Sequence, residues 1–250
     1  MKTYRIGQIV PSSNTTMETE IPAILRGREA VLPDERFTFH SSRMRMKKVT
    51  KEELAKMDAD SDRCAAELSD ARVDVLGYAC LVAIMSMGKG YHCQSEKRLE
   101  EVTAREGAPA PVVTSAGALV HGLRTLKAKK IAMVAPYMQS LCNMVAEYIE
   151  HEGFEVADRI ALEIPDNLEV GRRDPLALVA IYRKLKLDGV DALVLSSCVQ
   201  MPSLAAIPIV ERECGLPVIS AAVCTTYQML QKLGLKTYAP EAGALLSGRY

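Results

Sequence analysis

Three short motifs recur in the same order in the two halves of the chain, and this internal repeat constrains the fold more than any other feature. Arg5-Ile-Gly-Gln-Ile-Val-Pro11 corresponds to Lys130-Ile-Ala-Met-Val-Ala-Pro136, and Val73-Asp-Val-Leu-Gly-Tyr-Ala-Cys80 to Val190-Asp-Ala-Leu-Val-Leu-Ser-Ser-Cys198. Pro111-Val-Val-Thr-Ser115 corresponds to Pro217-Val-Ile-Ser-Ala221. The spacing between equivalents shrinks along the chain, so the repeat describes two diverged lobes and not a solenoid. We place the lobes at residues 1–128 and 129–250, with the last helices free to cross between them.

Each motif is a run of Val, Ile and Leu that stops at Pro, Ser, Cys or Thr, and segments of helical periodicity separate the runs. That is a βα alternation. The runs predict strands at 4–10, 36–41, 73–79, 111–114, 130–135, 155–163, 190–197 and 217–220. Their lack of polar alternation suits parallel strands covered on both faces. The predicted fold is therefore α/β, with two pseudo-symmetric lobes, each a four-stranded, mainly parallel sheet flanked by helices, and an active site in the cleft between them. Thr50-Lys-Glu-Glu53 predicts a capping box, Asp174-Pro175 a helix start, and Gly153 and Gly215 C-terminal caps.

Composition narrows the function. Lys plus Arg and Asp plus Glu both total 31, so no net field holds a nucleic-acid backbone or an anionic bilayer. With no Trp and 5% aromatics there are few platforms for stacking bases. The N-terminus turns polar by Ser12, too early for a signal peptide, and no apolar run is long enough to span a bilayer. A cytoplasmic protein is expected. The cysteines at 64, 80, 93, 142, 198, 214 and 224 are odd in number and contain no C-x-x-C pair, which predicts free thiols.

In open parallel sheets ligands bind beyond the carboxyl ends of the strands. Those positions hold Ser12 to Thr16 and Cys80-Leu81-Val82 in the first half, and Tyr137, Asn167 and Cys198-Val199-Gln200 in the second. If both carboxyl edges face one cleft, Cys80 and Cys198 stand on opposite walls as a thiol pair. The competing reading is ordinary burial, since free cysteine is among the most buried residue types. Ser12 to Thr16 offers hydroxyls and successive backbone N–H groups as a carboxylate cradle, or more plainly an N-cap. Arg43 and Arg45 follow the second strand, with surface exposure as their default. His92-Cys93 reads as a solvated loop pair, and no histidine spacing supports a metal site. Gly88-Lys-Gly90 reads as a flexible link and a candidate lid hinge. No glycine-rich phosphate motif is present, so no nucleotide cofactor is expected.

Pro11-Ser-Ser-Asn-Thr15, Gly77-Tyr-Ala-Cys80, Ala135-Pro-Tyr137, Pro165-Asp-Asn167, Ser197-Cys-Val-Gln200 and Gly243-Ala-Leu-Leu-Ser-Gly248 together span the chain. By these motifs it resembles the aspartate/glutamate racemase superfamily and, within it, most the maleate cis-trans isomerases. The resemblance implies Cys80 as nucleophile and Cys198 as proton donor and acceptor. Asn14, Tyr137 and Asn167 become ligands of the substrate carboxylates, joined by backbone groups of Leu81, Val82, Val199 and Gln200. It further implies a small dicarboxylate substrate, no cofactor, a homodimer and a place in bacterial nicotinate breakdown. Racemases of the superfamily follow each catalytic cysteine with Asn-Thr, whereas Leu81-Val82 and Val199-Gln200 stand here, which argues against amino-acid recognition. The alternatives are a two-cysteine racemase or epimerase, or a related decarboxylase, of a small carboxylate; from another class, a dicarboxylate-binding protein.

Overall fold

The computed structural model describes residues 1–250 and contains all eight expected strands. The first half runs β1 (Lys2–Pro11), α1 (Met17–Val31), β2 (Glu35–Met44), α2 (Lys51–Asp70), β3 (Val75–Tyr78), α3 (Leu81–Ser86), α4 (Tyr91–Arg105), β4 (Val112–Thr114) and α5 (Ser115–Thr125). The second runs β5 (Lys130–Ala135), α6 (Gln139–His151), β6 (Glu155–Ala161), α7 (Asn167–Gly171), α8 (Ala177–Tyr182), β7 (Ala192–Ser196), α9 (Ile207–Cys214), β8 (Val218–Ser220) and α10 (Ala221–Lys232). The sheets are ordered β2-β1-β3-β4 and β6-β5-β7-β8, with every pairing parallel. Equivalent motifs therefore occupy equivalent strands, and the two lobes share one topology. No helix is long and apolar enough to cross a membrane.

The Val-Asp pair of the second motif has a chemical reason that the apolar pattern hides. Asp74 Oδ2 accepts from the Arg5 N–H at 2.6 Å, and Asp191 Oδ2 accepts from the N–H groups of Lys129 and Lys130 at 2.8 Å. Each carboxylate satisfies donors at the start of the neighbouring central strand, where the ladder leaves them open. β3 and β7 consequently begin beyond these aspartates, at Val75 and Ala192, later than the apolar runs from 73 and 190 predict.

The helices that follow the equivalent strands β4 and β8, α5 and α10, pack on each other, and α10 also reaches the first sheet. Met229 of α10 fills the space where a side chain at Gly77 of β3 would stand, which accounts for glycine there. Gly153 (φ 95°) and Gly215 (φ 70°) close α6 and α9 in the left-handed region, as expected. Asp174 accepts from the Leu176 N–H at 2.9 Å in the turn before α8, and the helix itself starts later than expected, at Ala177, without a side-chain cap. At α2 the capping box is half formed. Thr50 accepts from the Glu53 N–H, but the Glu53 carboxylate turns outward to the N–H groups of Lys47 and Lys48 at 2.6 and 2.8 Å. That diversion shapes the segment over the cleft.

Arg28 of α1 is completely buried. Its Nε and Nη2 fork onto the Glu35 carboxylate at 2.6 and 2.8 Å, and Nη1 donates to the carbonyls of Lys236 and Tyr238, both at 2.6 Å. One guanidinium thus ties the segment after α10 to the first lobe. Arg28→Ala leaves a carboxylate and two carbonyls without their donor, and we expect a loss of about 3 to 5 kcal/mol in urea unfolding. A loss below about 1 kcal/mol would show that the C-terminal segment is held by apolar packing instead.

Candidate active site

Cys80 follows β3 and Cys198 follows β7, so both thiols stand at the carboxyl ends of equivalent central strands. Cys80 is half-buried, with φ 129° and ψ 90°, a region that a side chain rarely occupies. That turn hands the chain directly into α3, whose first residues Leu81 and Val82 are buried. The segment 81–93 is thus mostly helix. Gly88 and Gly90, with φ 121° and 70°, form the short link between α3 and α4.

The two lobes meet around the side chain of Gln200. Its Oε1 accepts from the Thr15 N–H at 2.8 Å, and its Nε2 donates to the carbonyls of Asn167 and Ser13 at 2.7 and 3.2 Å. Thr16 returns a bond from its hydroxyl to the Gln200 carbonyl at 2.7 Å. The carboxylate cradle expected from Ser12 to Thr16 is therefore not available as such. The Thr15 amide is taken by Gln200, and Asn14 Oδ1 accepts from the Thr16 and Met17 amides at 2.9 Å. Asn14 is the capping residue of the plainer reading, and the same two bonds fix its amide plane with Nδ2 left over as a donor. Arg43 is not a cleft residue; from the outer side it donates to the carbonyls of Ser12 and Asn14 at 3.1 and 2.7 Å and pairs with Glu18. Asn167 donates to Ser13 Oγ at 2.9 Å, and the Tyr137 hydroxyl donates to the Ser197 carbonyl at 3.2 Å.

The nine residues that the resemblance assigns to the site line one small cavity, Cys80, Leu81, Val82, Asn14, Tyr137, Asn167, Cys198, Val199 and Gln200, whereas Ser12, Ser13, Thr15 and Thr16 do not. Pro11, Met46 and Val49 complete it and were not foreseen. Pro11 closes β1, a position the repeat itself marks. Met46 and Val49 lie on the β2–α2 connection, where no local pattern distinguishes a cover from a surface loop. The cavity measures about 20 Å³, room for about one water and far less than a four-carbon dicarboxylate. Beyond it lies an outer chamber of about 540 Å³ that shares Val49, Tyr137 and Asn167 with the inner one and brings in Lys47 and Lys48. These three shared residues stand between the two spaces.

His92 and Cys93 sit on α4 away from this cavity, not in a solvated loop. His92 is buried with Nδ1 2.6 Å from the Tyr148 hydroxyl, while Cys93 is exposed. No group of three or more His, Cys, Asp or Glu side chains is placed to hold a metal ion.

The arylmalonate decarboxylase family model matches residues 6–246 of the chain. The maleate isomerase of Geobacillus stearothermophilus is 65% identical over 249 residues, which cover 100% of this chain and 99% of that protein. The crystal structure of the maleate isomerase Iso of Pseudomonas putida S16 with maleate, a cysteine-to-alanine variant, is 63% identical and superimposes with a TM-score of 0.98 over 100% of this chain and 99% of that one. A cysteine-to-serine mutant of the Nocardia farcinica maleate cis-trans isomerase with a covalently bound succinylcysteine intermediate is 47% identical, with a TM-score of 0.95 over 100% of both chains.

The cavity contains no charged side chain, and that decides the state of its thiols. Burial pushes Cys80 up to about 12, an effect that the amides of Ala83 and Val82 only partly offset. Burial also raises Cys198, against the pull of the Tyr137 hydroxyl and the amides of Gln200 and Met201. In the closed cavity desolvation outweighs the amides at the start of α3, and both thiols keep their protons near neutral pH. The Tyr137 hydroxyl, raised well above its ordinary value by burial, remains a donor.

A thiol raised in the folded state stabilises the fold fully below its unfolded value and loses that contribution as pH climbs toward the folded value. From pH 8 to pH 10 the unfolded thiol ionises while folded Cys80 stays protonated. The wild-type chain should therefore lose about 1 to 2 kcal/mol more than Cys80→Ser over that interval. Urea unfolding at the two pH values measures it, and equal losses in the two proteins would mean that folded Cys80 ionises as readily as an exposed thiol.

Proposed function

The chain belongs to the arylmalonate decarboxylase family and, within it, to the maleate isomerases, and from that premise we propose that it interconverts maleate and fumarate by reversible thiol addition. The observation that carries the reading is the pairing of two cysteines, at equivalent strand ends of the lobes 1–128 and 129–250, around one cavity whose other polar groups are neutral donors. The covalent succinylcysteine in the Nocardia farcinica relative supports the same chemistry.

Maleate is held cis by its double bond, and rotation waits until that bond is made single. In this reading Cys80 gives its proton to solvent water, and the thiolate adds through Sγ to one alkene carbon. The π pair moves to the neighbouring carbon and its carboxylate, and the Cys198 thiol delivers a proton to that carbon. The adduct is a succinyl thioether free to rotate about its central bond. Cys198, now the thiolate, then removes a proton from the same carbon; the double bond re-forms trans and the C–S bond breaks. No electron acceptor or added cofactor is required by this balance. Ionising a thiol whose value stands near 12 costs about 6 kcal/mol at pH 7.5. Water admitted when the 46–49 segment opens reduces that cost, because it removes part of the desolvation.

Asn14 contributes its spare Nδ2, Asn167 its side-chain amide, Tyr137 its hydroxyl, and the chain around Leu81, Val82, Val199 and Gln200 its backbone groups, to carboxylates that gain enolate-like charge during addition. Neutral, preorganised donors in a dry cavity stabilise such charge without cancelling it beforehand. Their orientation is fixed before substrate arrives, since Asn14 and Gln200 are already locked to the backbone.

Proton NMR of maleate incubated with the protein and no added cofactor should show fumarate. Cys80→Ser should abolish it, and intact-mass analysis of Cys198→Ser should find one substrate mass on the peptide carrying Cys80; an adduct confined to Cys198 in the Cys80→Ser protein would reverse the two roles. Tyr137→Phe removes one hydroxyl and should lower kcat/KM about 10- to 1000-fold, with most of the loss in kcat. Unchanged kinetics in a folded Tyr137→Phe protein would remove Tyr137 from the binding set.

A further inference from the structure

Beneath the cavity lies a second buried polar cluster with no part in the chemistry above. Asp58 of α2 is 2% exposed, and each of its carboxylate oxygens takes one tyrosine. Tyr78 donates to Oδ1 at 3.1 Å and Tyr91 donates to Oδ2 at 2.6 Å. Arg98 balances the charge, donating to Oδ2 at 3.1 Å, to the Asp58 carbonyl at 3.2 Å and to Ser61 Oγ at 2.8 Å. Tyr78 is the last residue of β3 and Tyr91 the first of α4. Between them lie Cys80, all of α3 and the Gly88–Gly90 link.

That placement matters because a strained turn lies inside the segment, which apart from the two tyrosines is held by the packing of α3 against α2, α4, α5 and α6. Cys80 occupies a positive φ that costs about 1 to 3 kcal/mol and persists only where the surroundings enforce it. α3 is six residues long, too short to be stable on its own. Its exit runs through two glycines in the left-handed half of conformational space, which makes the link compliant. A single carboxylate that grips both flanks closes the segment into a pinned loop and denies Cys80 the relaxation its backbone favours.

We propose that Asp58 is a positioning residue for Cys80, acting through Tyr78 and Tyr91 to hold the strained turn and the backbone of Leu81 and Val82 in the geometry that addition needs. The inference rests on the isomerase reading for its kinetic arm, and on the structure alone for its second arm. A purely structural ion pair would lower global stability and leave kcat per folded molecule unchanged. A positioning role lowers kcat while leaving KM nearly alone, because substrate is still bound by Asn14, Tyr137 and Asn167.

The test uses Asp58→Asn, which keeps the size and one acceptor, together with Tyr78→Phe and Tyr91→Phe, which release one flank at a time. For maleate we expect kcat to fall about 10- to 100-fold in Asp58→Asn and about 3- to 30-fold in each tyrosine variant, with KM within about threefold throughout. Hydrogen exchange without substrate reads the same device independently: amides of residues 81–87 should exchange at least about tenfold faster, with those of β1 and β5 unchanged. If Asp58→Asn fails to fold, the two tyrosine variants carry the test. Folded variants with wild-type kcat, or with exchange rising equally in every strand, would overturn the proposal. Selective exchange in a protein whose wild type forms no fumarate would keep the clamp and sink the isomerase reading instead.

Discussion

The geometry of this site depends on one primary amide. Gln200 stands two residues after Cys198, and its side chain bonds only to the first lobe's Ser13–Thr15 turn and the second lobe's Asn167. It brings the carboxyl edges of the two sheets together at the point where each carries a cysteine. A buried amide of this kind is either fully satisfied or costly, so the lobes have one relative position in which Gln200 has all its partners. The α7 end makes room for it: a side chain at Gly171 would stand 2.5 Å from Gln200 Nε2 and 2.6 Å from Thr15 Oγ1. Glu20 of α1 reinforces the same register from behind, accepting from the Ser203 and Leu204 amides at 2.5 and 2.6 Å.

From that register follow the electrostatics. A site closed by apolar cover residues and lined with neutral donors excludes water, which raises both thiols and keeps the tyrosine hydroxyl a donor. Such a cavity is poorly suited to attract a dianion from a distance, and the chain's balanced charge gives no help. The two lysines at the outer chamber, Lys47 and Lys48, lie on the same segment whose residues Met46 and Val49 cover the cysteines. Attraction and closure are thus assigned to one short connection, held at its base by the Glu53 carboxylate. The charge is on the connection that covers the cavity, and the cysteines are on the fixed part, the strand ends.

The fixed part is the one that patterns reveal. Short apolar runs locate the strands because a strand covered on both faces has no polar alternation to confuse the reading. The repeat locates the cysteines because equivalent positions in a duplicated fold share an environment. Where expectation and structure part, a side chain has chosen a partner that the motif did not assign to it. Glu53 leaves its helix for the 47–48 amides, and Asn14 takes the amides that a carboxylate cradle would need. Arg43 buttresses the Asn14 turn from outside, and His92 goes to Tyr148 in the other half. The first two partners lie within six residues and the other two lie 29 and 56 residues away, and none of them follows from the hydrophobic pattern.

The sequence by itself determined the two-lobed α/β architecture, the positions of its eight strands, the free state of the cysteines and the set of strand-end residues from which the site is built. Those properties follow from hydrophobic periodicity and from spacing, which are local and additive. Only the tertiary structure decided that these residues share one cavity, that Met46 and Val49 cover it, and that desolvation overrides the helix amides at Cys80. It also decided that Tyr78 and Tyr91 grip the same carboxylate on either side of the strained turn. Burial and hydrogen-bond partnership are set by what packs against a residue from elsewhere in the chain, and no window of sequence contains that information.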